Sequence, residues 1–327
     1  MQHASRRPRL NPGRLAPAVL LIALAASTAR ADDAMQWLAR AAQAARQLNY
    51  VGTIIYQVGS RVESSRITHL FEGGSEFAKL VNLDGPAREV VRSQNEVRCY
   101  YPDAKLMRIE PATFRNVFPS LLPEQQQSLS RFYDFRIDGE DRVGGRPVQI
   151  VVFEPRDGLR YGHRFWADVA TGLLLKARVV NERGDGVEQF AFGDLTINAR
   201  IDRSMVEPSW TTVPRDWQVL ENAAGDVVEQ DTGWTVARMP PGFTKIMEGY
   251  RKLRGRRERV AQLVFSDGLV SVSVFVEPLV AASPPPGAVH QGGLNFYSVK
   301  QDDHLVTVIG QTPGATVRQI ANSVVHR

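Results

Sequence analysis

The most concentrated chemistry in the chain is a basic run, Arg251-Lys252-Leu253-Arg254-Gly255-Arg256-Arg257-Glu258-Arg259, with six cations in nine residues. Guanidinium forks suit phosphate and carboxylate partners. The run therefore reads as an anion-binding or partner-binding site, formed by Arg251, Lys252, Arg254, Arg256, Arg257 and Arg259. The bland alternative is a solvated edge that blunts a strand. The second conspicuous stretch is residues 111–131, PATFRNVFPSLLPEQQQSLSR. Pro111, Pro119 and Pro123 forbid a long helix, yet Phe114, Val117, Phe118, Leu121 and Leu122 are too apolar for an ordinary connection. The segment reads as a lid facing a lipid, since burying each CH₂ of an acyl chain contributes about 0.8 kcal/mol. A plug that completes the core is the equal alternative.

Catalytic patterns are missing. The sequence has no Gly-x-Ser-x-Gly, His-Glu-x-x-His, Gly-x-Gly-x-x-Gly or phosphate-binding loop. His69, His163, His290, His304 and His326 have no second His or Cys at a metal-ligand spacing. His69 and His163 fall in strand patterns, where a satisfied or exposed histidine is expected. The carboxylates Asp138, Glu140 and Asp141 gather near a turn, and turn chemistry accounts for them. No catalytic residue, metal or cofactor is assigned, and the chain reads as a non-enzyme.

The charge balance narrows the partners. The 327 residues carry 40 Lys and Arg against 35 Asp and Glu. Five of those arginines lie in residues 1–31, which hold no acid. There Arg6, Arg7, Arg9 and Arg14 precede the apolar run Leu15–Ala26, which ends at Ala29-Arg30-Ala31. This is the pattern of an export signal cleaved after Ala31. The remaining 296 residues are neutral overall, so a general attraction to nucleic acid has no basis. The expected compartment is the periplasm. The single Cys99 has no cysteine to pair with and reads as a small buried hydrophobe.

The elements that must position these residues follow from periodicity. Asp32 and Asp33 cap a helix with a stripe of Met35, Leu38, Ala42, Ala45 and Leu48, ending near Asn49. Alternation of period two then predicts strands at residues 50–56, 65–72, 76–83, 87–93, 96–101 and 105–109, and at 132–143, 148–154, 161–167, 173–180 and 187–192. Their short turns favour antiparallel neighbours in one curved sheet. Residues 210–231 lose this periodicity. Beyond them come a strand at 234–239, a hairpin around Ser266-Asp267-Gly268, and a second hairpin at 294–309. Thr312-Pro313 opens a last helix as cap and first position, with Val317, Ile320, Ala321 and Val324 as its stripe. No internal repeat is present.

Several of these segments carry a family resemblance. Met35-Gln36-Trp37-Leu38, Leu48-Asn49-Tyr50-Val51-Gly52-Thr53, Phe190-Ala191-Phe192, Val206-Glu207-Pro208 and Met239-Pro240-Pro241-Gly242-Phe243 resemble the RseB/MucB family. So do residues 265–275, FSDGLVSVSVF, and Gly310-Gln311-Thr312-Pro313. These are periplasmic negative regulators of the sigma-E envelope-stress response. The resemblance implies an α+β fold, mostly antiparallel β. It comprises a large LolA/LolB-like half-barrel with helices (residues 32–210), a linker (211–231), and a smaller C-terminal antiparallel sheet with a terminal helix (232–327). It further implies that the small domain, with the linker, binds the periplasmic part of a membrane anti-sigma factor of RseA/MucA type and shields it from site-1 proteolysis. A lipid or lipopolysaccharide signal would release it. A lipid or lipoprotein carrier of LolA type is the competing reading. The oligomeric state is left open, homo-oligomers included.

Overall fold

The computed structural model describes residues 33–111, 118–122, 127–221, 227–252, 258–280 and 285–327. Helix α1 covers residues 33–47. Of its expected stripe, Leu38, Ala42 and Ala45 are buried and Met35 and Leu48 half-buried. Ala34, Ala41 and Ala44 are buried too, and such small side chains let the helix lie close to a sheet. The helix stops two residues early because Asn49 has other duties: its Oδ1 accepts from the Phe71 amide at 2.7 Å. Asp33 is described and Asp32 is not.

Twelve strands form the large sheet. Six follow in sequence: β1 (Tyr50–Val58), β2 (Arg61–Glu72), β3 (Ser75–Asn82), β4 (Glu89–Arg92), β5 (Glu96–Tyr101) and β6 (Leu106–Pro111). Five more return: β7 (Tyr133–Val143), β8 (Arg146–Pro155), β9 (Gly162–Asp168), β10 (Leu174–Val180) and β11 (Gly186–Ile197). β11 docks antiparallel on β1, Phe192 opposite Ile54, and joins the two meanders at the middle of the sheet. Among the described residues the sheet does not close, and β7 ends it on one side. The other end is β12 (Gln218–Glu221), the one parallel addition, paired with β6. It lies in the segment expected to be linker. Four residues give too short a pattern to read.

This topology fixes the path of the apolar segment. β6 and β7 stand ten strand spacings apart, about 48 Å if the sheet were flat. The 21 residues between them reach about 70 Å at full extension. The connection must therefore cross the sheet. Phe118, Leu122 and Leu129 are buried in the same core as Leu38, Tyr50, Phe165 and Phe192, which places the crossing on the inner face beside α1. An open sheet with a helix and a crossing segment on its inner face is the half-barrel that the resemblance implied.

The smaller domain repeats the logic. Its sheet runs β13 (Val227–Glu229), β15 (Thr244–Lys252), β16 (Arg259–Ser266), β17 (Ser271–Pro278), β20 (His304–Gly310), β19 (Leu294–Gln301) and β18 (Gly287–Gln291). Val272, Val274, Val306 and Val308 are fully buried and pack with Val317 and Ile320 of helix α2 (Gly314–Ala321). Three expectations are corrected here. Pro313 is the N-cap and Gly314 the first helical residue. Val324 is buried, but it belongs to β21 (Val324–His326), beyond the helix. The strand expected at 234–239 is only β14 (Trp234–Val236), which leaves the sheet to pair with β21. β15 was not anticipated, because a register shift between Lys245 and Met247 breaks its alternation.

Candidate functional site

A cavity of about 200 Å³ lies between the inner face of the large sheet and the crossing segment. Tyr50, Ile67, Leu80, Val90 and Val97 line one side, and Phe118, Pro119 and Ser120 lie over it. Its polar wall is His69, Glu76, Arg88 and Arg92. Sheet register assembles this wall from four strands: Tyr50 stands opposite His69, His69 opposite Ala78, and Ala78 opposite Arg92. The same register carries Val90 to Cys99 and Cys99 to Arg108, so Arg108 shares this face. Among the described residues, the buried Nε atoms of Arg88 and Arg108 have no hydrogen-bond partner. Guanidinium groups left in this way beside apolar surface suit an anionic head with an apolar tail.

His69 is fixed in place. Its Nδ1 lies 2.8 Å from the Leu48 carbonyl, its ring stacks on Tyr50 with centroids 4.6 Å apart, and Nε2 is 3.3 Å from Oε1 of Glu76. Burial works to raise the Glu76 carboxyl. His69 beside it, then the Arg92 guanidinium and Arg46, outweigh burial and hold the group below the usual range. The carboxylate is thus kept ionised as a partner for the cationic wall. Gly52 stands beside this wall by necessity: a Cβ there would meet the Asp194 carbonyl at 2.5 Å and the Phe192 ring at 3.0 Å.

Of the five lid residues, Phe118 and Leu122 are buried, Leu121 is half-buried against the core, and Phe114 and Val117 lie outside the described residues. The described part therefore both fills the core and roofs the cavity. Phe118 lies parallel to Phe190, 5.7 Å between centroids, and tilts onto Phe192 at 5.2 Å.

The described ends of the basic run lie on two paired strands. Lys252 and Arg259 are exposed cross-strand partners on β15 and β16, and Arg251 donates to Gln262 Oε1 at 3.1 Å. Arg254, Arg256 and Arg257 lie outside the described residues. β16 is an interior strand, so blunting an edge does not explain its cation. Like charges directly opposite cost stability.

Cys99 is 1% exposed, as a small hydrophobe would be. His163 departs from expectation. It is buried among the rings of Tyr133, Phe153 and Phe165, and its Nε2 has no hydrogen-bond partner among the described residues. Desolvation lowers its pKa to about 4 despite the nearby charge of Asp267, so it is a neutral packing residue. Among the described residues no three His, Cys, Asp or Glu side chains stand together as a metal site. A larger groove of about 510 Å³ lies across β8–β10, but its Arg136, Arg160 and Arg164 are already paired with Asp138, Glu154 and Asp157.

The contact between the domains was not legible beforehand. Arg160, in the connection before β9, is fully buried against Asp267 of the second domain. Thr316 Oγ1 donates to the Leu159 carbonyl at 2.9 Å, and Asn295 Nδ2 donates to the Tyr161 hydroxyl at 2.9 Å.

Comparison with known proteins agrees with this architecture. Residues 33–210 match the MucB/RseB N-terminal domain and residues 228–325 the MucB/RseB C-terminal domain. The sigma factor AlgU regulatory protein MucB of Pseudomonas aeruginosa is 32% identical over 313 residues, covering 92% of this chain and 93% of that protein. A crystal structure of MucB in complex with MucA(peri) superposes with a TM-score of 0.72 at 29% identity, over 90% of this chain and 99% of that one. A crystal structure of MucB gives 0.62 at the same 29% identity, over 90% and 98%. The chain belongs to the MucB/RseB family of sigma factor regulatory proteins.

Proposed function

We propose that this chain is an exported regulator, cleaved after Ala31. It would bind the periplasmic domain of a membrane anti-sigma factor of MucA/RseA type, shield that factor from site-1 proteolysis, and let go when an anionic lipid or lipopolysaccharide fragment occupies the large domain. It acts by binding rather than catalysis. Residues 32–210 form the sensing domain, 211–231 the linker, and 232–327 the partner-binding domain. The basic run Arg251–Arg259 meets anionic groups of the partner or ligand. Phe114, Val117, Phe118, Leu121 and Leu122 face the acyl chain.

The single observation that carries the reading is the likeness to MucB as it stands in complex with MucA(peri), over nearly all of that chain. The cavity supports the sensing half: an apolar floor, an aromatic roof at Phe118, and Arg88 and Arg92 in its wall. The physical logic is linkage. A ligand that prefers the partner-free form weakens the partner complex by the same factor that the partner weakens ligand binding. A cleavage assay tests the reading. Site-1 protease digests the anti-sigma periplasmic domain alone, with this protein, and with this protein plus lipopolysaccharide fragments. Protection that the fragments reverse is the expected result. Equal cleavage in all three overturns the shielding role.

A further inference from the structure

The roof of the cavity is joined to the second domain by an unbroken file of side chains. Phe118 lies parallel to Phe190, 5.7 Å between centroids and 8° between planes. Phe190 stacks on its cross-strand partner Tyr56 at 4.6 Å. Glu188, two residues from Phe190 on β11, brings its carboxylate to Tyr56, where burial first and then the carboxylate's charge raise the phenol's pKa. Oε2 of Glu188 accepts from Nε2 of Gln311, in the short connection between β20 and α2 of the small domain. Gly293 closes over this last contact. A Cβ there would stand 3.0 Å from the Glu188 carboxylate and 3.3 Å from Cγ of Gln311, so a larger residue would push these two side chains aside.

We infer that this file, Phe118–Phe190–Tyr56–Glu188–Gln311, relays occupancy of the cavity to the contact between the domains. The inference rests on the cavity being the ligand site proposed above. An acyl chain entering beneath Phe118 must lift the 118–122 segment, because Phe118 and Pro119 are buried and fill the space above the cavity. Segment 118–122 is then the two-state element, seated or lifted. Lifting removes the ring that holds Phe190 and, through it, Tyr56. Glu188 is the sensitive point. A half-buried carboxylate is costly unless its polar contacts are made. Burial raises its pKa against the pull of Tyr56 and of the bond from Gln311. With Tyr56 displaced, the carboxylate turns to water and releases Gln311. The Arg160–Asp267 pair, fully buried elsewhere in the interface, stays as the pivot. The domains therefore change angle rather than separate.

Amide hydrogen exchange on the chain from Asp32 tests this, with 12-carbon lysophosphatidic acid below its micellar concentration as the probe. In the unmodified protein the probe slows exchange in β2–β4 and speeds it at residues 293–295 and 311–314 by about fivefold or more, the usual span of a coupling. Tyr56→Phe keeps the ring stack but loses the hydroxyl. It retains the cavity protection and loses the response at 293–295 and 311–314. A response there equal to that of the unmodified protein overturns the relay, as does cavity protection with no interface response in the unmodified protein. A ligand-free arm separates the two ideas. Phe118→Ala empties the roof and should speed the same interface amides without any probe. If that variant does not fold, Phe118→Leu, which keeps an apolar side chain but no ring, takes its place. No change at the interface in a folded Phe118 variant overturns the relay. A probe that protects no cavity strand overturns the lipid reading instead, while the ligand-free arm still decides the relay.

Discussion

Arg160 donates from Nε to Oδ2 of Asp267 at 2.8 Å, both side chains fully buried, one from each domain. The same guanidinium also bonds Asp157 and the Pro241 carbonyl and lies between the rings of Phe132 and Phe243, 4.7 and 5.0 Å from their centroids. Asp267 is held as firmly. Its other oxygen accepts from the Leu269 and Val270 amides at 3.0 Å each, which is the turn chemistry of the Ser266-Asp267-Gly268 hairpin. One aspartate thus shapes a turn in the small domain and anchors it to the large one.

Breaking a buried pair from one side costs about 3–5 kcal/mol where the other charge is left alone; Arg160 keeps Asp157 as a partner, so the low end applies. Asp267→Asn keeps the acceptor that serves the turn and removes the charge that faces Arg160. Urea unfolding should show a loss of about 3 kcal/mol. A loss below about 1 kcal/mol, the range of an exposed pair, would show that the contact is wet and weak.

His163 sets an acid limit. Its folded pKa, lowered to about 4 by burial, lies below the value of about 6.5 expected in the unfolded chain. Between those values the unfolded chain binds the proton and the folded chain does not. Stability therefore falls as the pH drops from about 6.5 towards about 4, by up to about 1.4 kcal/mol per unit from this group. Unfolding free energies across that range should fall less steeply for His163→Leu than for the unmodified protein. Identical slopes would mean that His163 is protonated in the folded state.

The cavity wall makes a ligand prediction. Arg88→Ala and Arg92→Ala should each weaken binding of a monoacyl phosphate by roughly tenfold or more, the scale of a lost charge-assisted bond, with little effect on the matching uncharged alcohol. Fluorescence titration reads both. Equal weakening for phosphate and alcohol would mean that the arginines shape the cavity rather than recognise charge.

The basic run makes a partner prediction. Lys252→Glu with Arg259→Glu should slow association with the anti-sigma periplasmic domain and flatten its salt dependence, since exposed charges act mainly on encounter. Stopped-flow association at two ionic strengths checks this. Unaltered rates at both would return the run to a solvated hairpin end.

How much of this was written in the chain is uneven, for physical reasons. Strands such as β17, SVSVFVEP, alternate cleanly and are legible because one face is wet and the other lies under α2. β12, β13 and β21 are three or four residues long and are fixed by the neighbours they pair with, which no local pattern encodes. The buried residues Phe118 and Leu122 could be picked out because apolar side chains stood among prolines. The wall could not. His69, Arg88 and Arg92 are ordinary residues of strands and a turn until the register of β1 to β4 sets them on one face. Arg160 gave no signal either, since an arginine in a loop is usually exposed and only the docking of the second domain buries it.

The most direct test of the central claim is a calorimetric titration of the chain from Asp32 with the periplasmic domain of a MucA-type anti-sigma factor, repeated with lipopolysaccharide fragments. The account predicts a complex at micromolar concentration or tighter, weakened by the fragments about fivefold or more. No binding at micromolar concentration, together with lipid retained on purification, would contradict it and make the protein a carrier.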